Sequence, residues 1–188
     1  MKKVSFIEMK KGTKKDYVFL DKLEKKYIAN TADRIIKYLK NYDETLEGYQ
    51  VSRLEHSLQA ATRALRDKAN NEMIVATLLH DIGDDLAPAN HAEYAASILK
   101  PYVSEKTHWI LLKHGEFQMY YYAHHLGFNR NKRDKYKTHK YYKDCIKFCE
   151  LWDQTSFDPN YKSLPLKRFE PIIKKIFSRK PYSHVKSR

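Results

Sequence analysis

The chain has 188 residues, enough for one domain, and its 5 Gly and 6 Pro are few, which favours a mostly helical protein. With 42% hydrophobic and 13% aromatic residues it can bury a sizeable core, which excludes a chain that is disordered throughout. The formal net charge of +13 is concentrated in residues 1–15, 130–143 and 162–188, so the rest of the chain is mildly acidic.

We expect a basic N-terminal segment over 1–15, a single helical domain over 16–180 and a C-terminal tail over 181–188. No apolar run approaches the roughly 18 residues of a membrane span, and the start of the chain lacks the apolar stretch of a signal peptide. Cys145 and Cys149 lie four residues apart on a predicted helix, which suits reduced thiols better than a disulfide. These features predict a cytoplasmic protein without a membrane partner.

In the first third of the chain, apolar periodicity and capping residues predict the helices. A short extended piece over 4–9 precedes one or two amphipathic helices over 16–41. The apolar positions expected to face inward there are Leu20, Leu23, Ile28, Ile35, Ile36 and Leu39. Ser52 caps a predicted helix over 53–69, and Asn70 or Asn71 caps one that ends at Gly83.

The later helices are predicted in the same way. One lies between Pro88 and Pro101, with small residues spaced for close helix contact, and Ser104 caps another that runs to His114. Residues 117–128 are compatible with helix or loop, 139–155 are predicted as helix, and 169–177 form a short final helix. The fold class is therefore all-α.

Four histidines and two carboxylates of the acidic body are candidate metal ligands: His56, His80, Asp81, His91, His114 and Asp153. Imidazole and carboxylate together favour a first-row transition metal such as iron, manganese or zinc. His80 and Asp81 are adjacent at a helix end, so both reach one metal only there or at a cluster of two ions, with Asp81 as the bridge. Asp153 lies on an apolar stripe, where a carboxylate is costly unless it is paired or metal-bound.

His56 fits the pattern less well. It projects away from the apolar stripe of Leu54, Leu58 and Leu65, so either its helix is buried on both faces or His56 is exposed. An inward histidine is also compatible with an ordinary hydrogen-bonded core residue, and both interpretations stay open at this point.

Five segments, LEH (54–56), LLHDIGD (78–84), NHAE (90–93), KHG (113–115) and WDQ (152–154), together resemble the HD-domain superfamily of metal-dependent phosphohydrolases. They resemble more closely its branch of mixed-valent diiron oxygenases, which includes myo-inositol oxygenase and the aminophosphonate-cleaving oxygenases. The resemblance covers residues 45–155 and implies a helical bundle with a two-metal site between its helices.

By the same resemblance, His56, His80, Asp81 and Asp153 bind one metal, and Asp81 bridges to a second metal held by His91 and His114. In the oxygenase branch the metals are an Fe(II)/Fe(III) pair that acts with dioxygen. The aminophosphonate enzymes carry a histidine after HDIG and a lysine beyond the fourth histidine. Asp84 and Gln118 stand at those positions here, which argues against an anionic phosphonate substrate, and Leu46 and Tyr49 replace two further groups associated with gating.

Some polar residues near these segments are candidates for catalysis or substrate binding. Besides Asp81, we assign a catalytic role to Gln118 and Arg53. The candidate pocket residues are Tyr49, Asp84, Gln118, Tyr120, Tyr122 and His124. For Arg53 and for the pair Asp84–Asp85, solvated surface charges are the simpler interpretation.

Three functions follow as hypotheses. The first is a diiron oxygenase that uses O2 to oxidise a small polar substrate and cleave its C–C or C–P bond. The second is a phosphohydrolase that uses manganese or another divalent metal on a nucleotide or other phosphate ester. The third is a nucleic-acid-binding protein using the basic run 130–143, although we interpret that run as solvated surface and do not expect nucleic acid as a partner.

Overall fold

The computed structural model describes residues 3–42 and 47–183, and within these ranges the chain forms helices and no strand. The α-helices are α1 (Lys14–Ala29), α2 (Thr31–Leu39), α3 (Arg53–Arg66), α4 (Asn71–Leu79), α5 (His91–Leu99), α6 (Glu105–Tyr122), α7 (Tyr142–Phe148) and α8 (Leu166–Phe177). The predicted all-α class is confirmed. Leu46, the first two residues of the predicted basic segment and residues 184–188 of the predicted tail lie outside the described residues.

Side-chain caps begin three of the helices that frame the site. The Ser52 hydroxyl accepts a hydrogen bond from the Glu55 amide at 3.1 Å and starts α3. Asn70 caps α4 in the same way at 2.9 Å, and Ser104 caps α6 at 3.4 Å. Each cap satisfies an amide that the first helical turn leaves unpaired, so the sequence positions of these three helix starts are confirmed.

The core lies where α3 packs on α4, α5 on α6, and α8 on both α2 and α4. Small side chains allow close approach, because Ala60, Ala61 and Ala64 of α3 are fully buried. This helix is buried on both faces, and His56 on its second face is buried too. The first of the two interpretations of His56 is therefore the correct one.

Several predicted helix boundaries are wrong, since α4 ends at Leu79 rather than Gly83 and α8 begins at Leu166 rather than Phe169. The helix expected to end at His114 continues as α6 to Tyr122, because the buried stripe of Ile110, Leu111 and His114 is extended by Phe117. A 3₁₀ turn, Ala123–Leu126, then ends it. The single helix expected over 139–155 is instead α7 followed by a π-helical turn, Cys149–Asp153.

The expected inward face of α1 is also wrong. Leu23 and Ile28 are 49% and 38% exposed, and no residue of α1 is buried. The inward positions of α2 are confirmed, because Ile35, Ile36 and Leu39 are buried against α8. The predicted extended piece over 4–9 forms no strand, and a 3₁₀ turn begins at Met9.

In the described part of the chain, none of the helices is both long and apolar enough to cross a membrane. Cys145 and Cys149 are buried free thiols, as predicted. Their thiols point to main-chain oxygens of α6, with Cys149 Sγ 3.5 Å from the His114 oxygen. The two cysteines therefore help to pack α7 and its π-helical turn against α6.

A matched pair of substitutions tests the different burial of α1 and α2. Leu39→Ala should lower the free energy of unfolding by about 2–5 kcal/mol, because it opens a cavity in the core. Leu23→Ala should change it by no more than about 0.5 kcal/mol, because that side chain is half exposed. Chemical denaturation of both variants measures the difference, and an equally large loss for Leu23→Ala would contradict the exposed position of α1.

Candidate metal centre

The six candidate ligands, from three helices and two turns, converge at one point of the core. His56 lies on α3, His80 and Asp81 follow α4, His91 begins α5, His114 lies on α6, and Asp153 ends the π-helical turn. All are buried except His91, whose side chain is 29% exposed. The structure thus brings together every residue of the set.

Gly83 allows the turn after Asp81 to pass against the start of α5. A Cβ atom on Gly83 would lie 2.8 Å from both the Cα and the main-chain oxygen of His91, closer than side chains approach backbone. The Asp84 amide donates to the Asp81 carbonyl at 2.9 Å, and the Tyr42 hydroxyl donates to the same carbonyl. These contacts hold Asp81 in place and bring His91 towards it.

The π-helical turn positions Asp153. The Gln154 amide donates to the Cys149 carbonyl at 2.9 Å, five residues back, so one extra residue is accommodated in the turn. Trp152 in this turn donates from its indole nitrogen to Asp67 at 2.7 Å. Asp153 is buried beneath these contacts, and periodicity alone had predicted an ordinary helix here.

The orientation of three histidines is set by main-chain oxygens. The Nδ1 atoms of His56, His80 and His114 lie 2.9, 2.8 and 2.7 Å from the carbonyl oxygens of Ser156, Thr77 and Leu111. An Nδ1–H that donates to a carbonyl leaves the Nε2 lone pair free, because a neutral imidazole carries one proton. In its neutral form, each of these rings therefore presents an Nε2 lone pair to the centre.

The two oxygens of Asp81 face different histidines. Oδ2 lies 3.3 Å from Nε2 of both His56 and His80. Oδ1 lies 3.3 Å from Nε2 of His114 and 3.5 Å from Nε2 of His91. The ligand atoms thus form two groups, His56–His80–Asp81 and Asp81–His91–His114, that share one carboxylate.

Asp153 extends the first group. Its Oδ1 lies 3.5 Å from Nε2 of His56 and 3.4 Å from Nε2 of His80. Its Oδ2 is buried and has no hydrogen-bond partner. A buried carboxylate oxygen without a partner is expensive, and a bound cation would remove that cost.

The spacing of these atoms fits metal ions. Ligand atoms about 2.1 Å from one ion and about 90–110° apart lie about 3.0–3.4 Å from one another. The Nε2 atoms of His56 and His80 are 3.0 Å apart, a distance at which two lone pairs repel unless a cation or proton lies between them. The residues present therefore fit two cations with imidazole and carboxylate ligands, the donor set of transition metals.

The charges of the centre also favour bound cations. Burial alone would lower the pKa of His56, but Asp153 and Asp81 outweigh it and raise that pKa to about 9. Burial would raise the pKa of Asp81, yet His80, His114 and His56 hold it well below the ordinary value. The protein without metal thus keeps its carboxylates ionised and attracts positive charge to this point.

Arg53 and Asp84 are not solvated surface charges, so that interpretation is wrong for both. The Arg53 side chain is 7% exposed and donates to Asp81 Oδ2 at 2.7 Å, and it also contacts Asp84 Oδ2. Buried charges occur in pairs because an isolated ion would lose its hydration without compensation. Asp85 is exposed as expected and accepts a hydrogen bond from the Tyr38 hydroxyl.

A cavity of about 330 Å³ opens onto the second group of ligands. Its lining comprises Tyr49, Arg53, Asp81, His91, His114, Gly115, Gln118, Tyr121, Tyr122, Asp153, Gln154 and Phe157. Of the predicted pocket residues, Tyr49, Gln118 and Tyr122 are among these. Tyr120, His124 and Asp84 are not, since Tyr120 packs against Arg133 and His124 is exposed beside His125.

Phe157 is a residue of the site that no sequence pattern predicted. Its ring stacks on His56, with centroids 4.3 Å apart, and on Tyr49 at 5.1 Å. Phe157 follows the π-helical turn in a segment without helical periodicity, so no pattern signalled its position. Gln118 was singled out, and its amide nitrogen donates to Asp153 Oδ1 at 3.1 Å.

The basic run 130–143 is only in part a solvated surface. Arg133 is buried and lies over the Tyr120 ring at 3.5 Å. Lys135 and Lys140 pair with Glu116 and Glu105 of α6. These contacts use part of the positive charge of the run to hold it against α6.

A family model described as HD domain matches residues 53–154, more than half of the chain and all six candidate ligands. The chain therefore belongs to the HD domain family. Comparison with curated proteins finds no significant match. Membership of this family and the His/Asp cluster together support the assignment of the chain as a metal-dependent enzyme.

The first prediction for the centre concerns metal content. Protein stripped with a chelator and reloaded with Mn²⁺ or Co²⁺ should bind two ions per chain, measured by elemental analysis and calorimetry. His114→Gln should lose one ion, because it removes a ligand of the second group only. His124→Gln, an exposed histidine outside the cavity, should keep both, and loss of an ion in that control would contradict the assignment.

The second prediction concerns Gly83. Gly83→Ala should lower the free energy of unfolding by about 1–3 kcal/mol, because the added methyl group meets the backbone of His91. Gly115→Ala should raise it by about 0.4–1 kcal/mol, since a helical Cβ there meets atoms at 3.7 Å or more. Denaturation of the metal-free proteins separates the two, and equal effects would refute the close approach at Gly83.

Proposed function

We propose that this HD-domain chain is a two-metal enzyme, a non-haem diiron oxygenase that uses dioxygen to oxidise a small polar substrate and cleave a C–C bond. One observation carries the proposal: the two oxygens of Asp81 face two separate pairs of histidines. A single-ion site would not need this second pair. Four imidazoles with two carboxylates also form a donor set that suits iron.

The position of the cavity supports substrate binding beside the second group. All three ligands of the second group, Asp81, His91 and His114, line the cavity, whereas of the first group's own ligands Asp153 lines it and the two histidines do not. The second group offers three protein ligands, so an ion held there has coordination positions left for a substrate. The cavity has a volume of about 330 Å³, which lies at the small end of the range for ligand pockets and suits a small substrate.

The charge of the cavity supports a substrate other than a phosphate ester. Arg53 is the one lysine or arginine among the described residues of the lining, and Asp81 and Asp84 already neutralise it. Apart from the candidate metal ligands, the remaining polar lining consists of amides and phenols, which bind hydroxyl and amine groups by hydrogen bonds. A small hydroxylated or amine-bearing molecule therefore fits this lining better than a phosphate dianion.

The side chains around the centre position its ligands and limit access of water. Gln118 orients Asp153 through its amide nitrogen, while the stacked rings of Phe157 and Tyr49 cover His56. Tyr122 is half exposed at the cavity and forms part of its entrance. When bound, an Fe(II)/Fe(III) pair would supply the one-electron chemistry that the activation of dioxygen requires.

We also propose that the protein is cytoplasmic. Cys145 and Cys149 are buried as free thiols, which suits a reducing compartment. A reducing compartment also favours retention of ferrous iron.

The function is tested with iron-loaded protein. Mössbauer and EPR spectra of anaerobically purified protein should show a coupled pair of irons, and an oxygen electrode should record uptake with members of a panel of polyols, hydroxy acids and amino alcohols. Asp81→Asn should abolish uptake, because it removes the shared carboxylate charge. Asp85→Asn, an exposed neighbour, should leave it unchanged.

The alternative is a metal-dependent phosphohydrolase, which membership of the HD domain family equally allows. Phosphate release from nucleotides by Mn²⁺-loaded protein under anaerobic conditions, abolished by Asp81→Asn, would favour it and overturn the oxygenase. Oxygen uptake without phosphate release would support the oxygenase and overturn the phosphohydrolase.

A further inference from the structure

His91 differs from the other three histidines of the centre in what lies beside its Nδ1 atom, the outer ring nitrogen that faces away from the centre. The outer nitrogens of His56, His80 and His114 lie against neutral main-chain oxygens. Nδ1 of His91 lies 3.3 Å from Oδ1 of Asp84, an ionisable carboxylate. The His91 ring also forms a hydrogen bond with the main chain of Pro88.

Asp84 is held in place by Arg53 rather than by solvent. Its side chain is 8% exposed, and its second oxygen, Oδ2, contacts the Arg53 guanidinium. The same guanidinium donates to Asp81 Oδ2 at 2.7 Å. Arg53 therefore fixes two carboxylates at once, and each of them acts on a different part of the metal centre.

The two ligand groups differ in negative charge. The first group has the carboxylates of Asp81 and Asp153, but Arg53 withdraws charge from Asp81 Oδ2. The second group has only the shared Asp81 oxygen among its direct ligands. A carboxylate next to the outer nitrogen of His91 would supply the missing negative charge through the ring, because a histidine backed by a carboxylate is a stronger metal ligand.

We propose that Asp84 is a positioning residue that strengthens the second ion site through His91, and that Arg53 holds it there. This inference rests on the proposed two-metal function. The aminophosphonate enzymes carry a histidine at position 84. Since Asp84 does not line the cavity, we assign it a role in the metal centre rather than in substrate binding. The second ion then depends on a residue that contacts neither ion nor substrate.

Asp84→Asn tests the inference, because the amide keeps an acceptor oxygen and removes the charge. Full-length, metal-free wild type and variant are titrated with Co²⁺ under anaerobic conditions, and calorimetry and the visible absorption spectrum report each equivalent. We expect the first ion to bind as in the wild type and the second to bind about 10–100-fold more weakly. In iron-loaded protein, the potential of the second iron should shift to a more positive value.

Asp85→Asn is the matched control, since Asp85 is adjacent in sequence, exposed and outside the network. It should bind both ions as the wild type does. Asp84→Asn leaves Arg53 short of a buried partner, so the double variant Arg53→Gln/Asp84→Asn, which removes both charges, is measured as well. Because Arg53 also donates to Asp81 Oδ2, the quantity compared for this variant is the affinity for the second ion relative to the first, which should fall as in Asp84→Asn.

The outcomes separate this inference from the proposed function. Two ions in the wild type and an unchanged second affinity in both variants would overturn the role of Asp84 and leave the two-metal enzyme standing. Equal weakening of both ions would also overturn it, because that pattern indicates a general structural defect. One ion in the wild type would overturn the two-metal function together with this inference.

Discussion

The structure depends on the burial of one carboxylate, that of Asp81, among four imidazoles and a guanidinium. Such a group is stable in a core only if every oxygen lone pair has a positive or donor partner. Oδ2 accepts a hydrogen bond from Arg53, and cations held between this carboxylate and the four Nε2 atoms that face it would supply the other partners. The packing of α3, α4, α5 and α6 around this point satisfies that requirement.

The helices form a rigid frame, while the helix ends and turns orient several of the ligand side chains towards the centre. Asp81 follows the end of α4, His91 begins α5, and Asp153 ends a π-helical turn, so these side chains leave the backbone where ordinary helical periodicity stops. A residue at such a boundary can point where a regular helix would not direct it. Gly83 contributes in a different way, because its missing side chain permits the turn to contact His91.

The centre is not symmetric, and its asymmetry has functional meaning. The first ligand group is buried beneath Phe157 and has a carboxylate of its own in Asp153. The second group borders the cavity and shares its only direct carboxylate with the first. Under the two-metal function proposed above, an ion in the first group would lie deeper in the core and an ion in the second group would be the one open to a substrate.

The sequence by itself determined the helical class, the caps at Ser52, Asn70 and Ser104, and the six candidate ligands, because local propensity and residue chemistry are visible in the order of residues. It did not determine the exposure of Leu23, the burial of Arg53 and Asp84, the π-helical turn at Cys149–Asp153, or the place of Phe157 on His56. Only the tertiary structure decided these, because burial depends on which elements meet. A periodic pattern shows that a helix has an apolar face, but the partner that covers this face comes from distant parts of the chain.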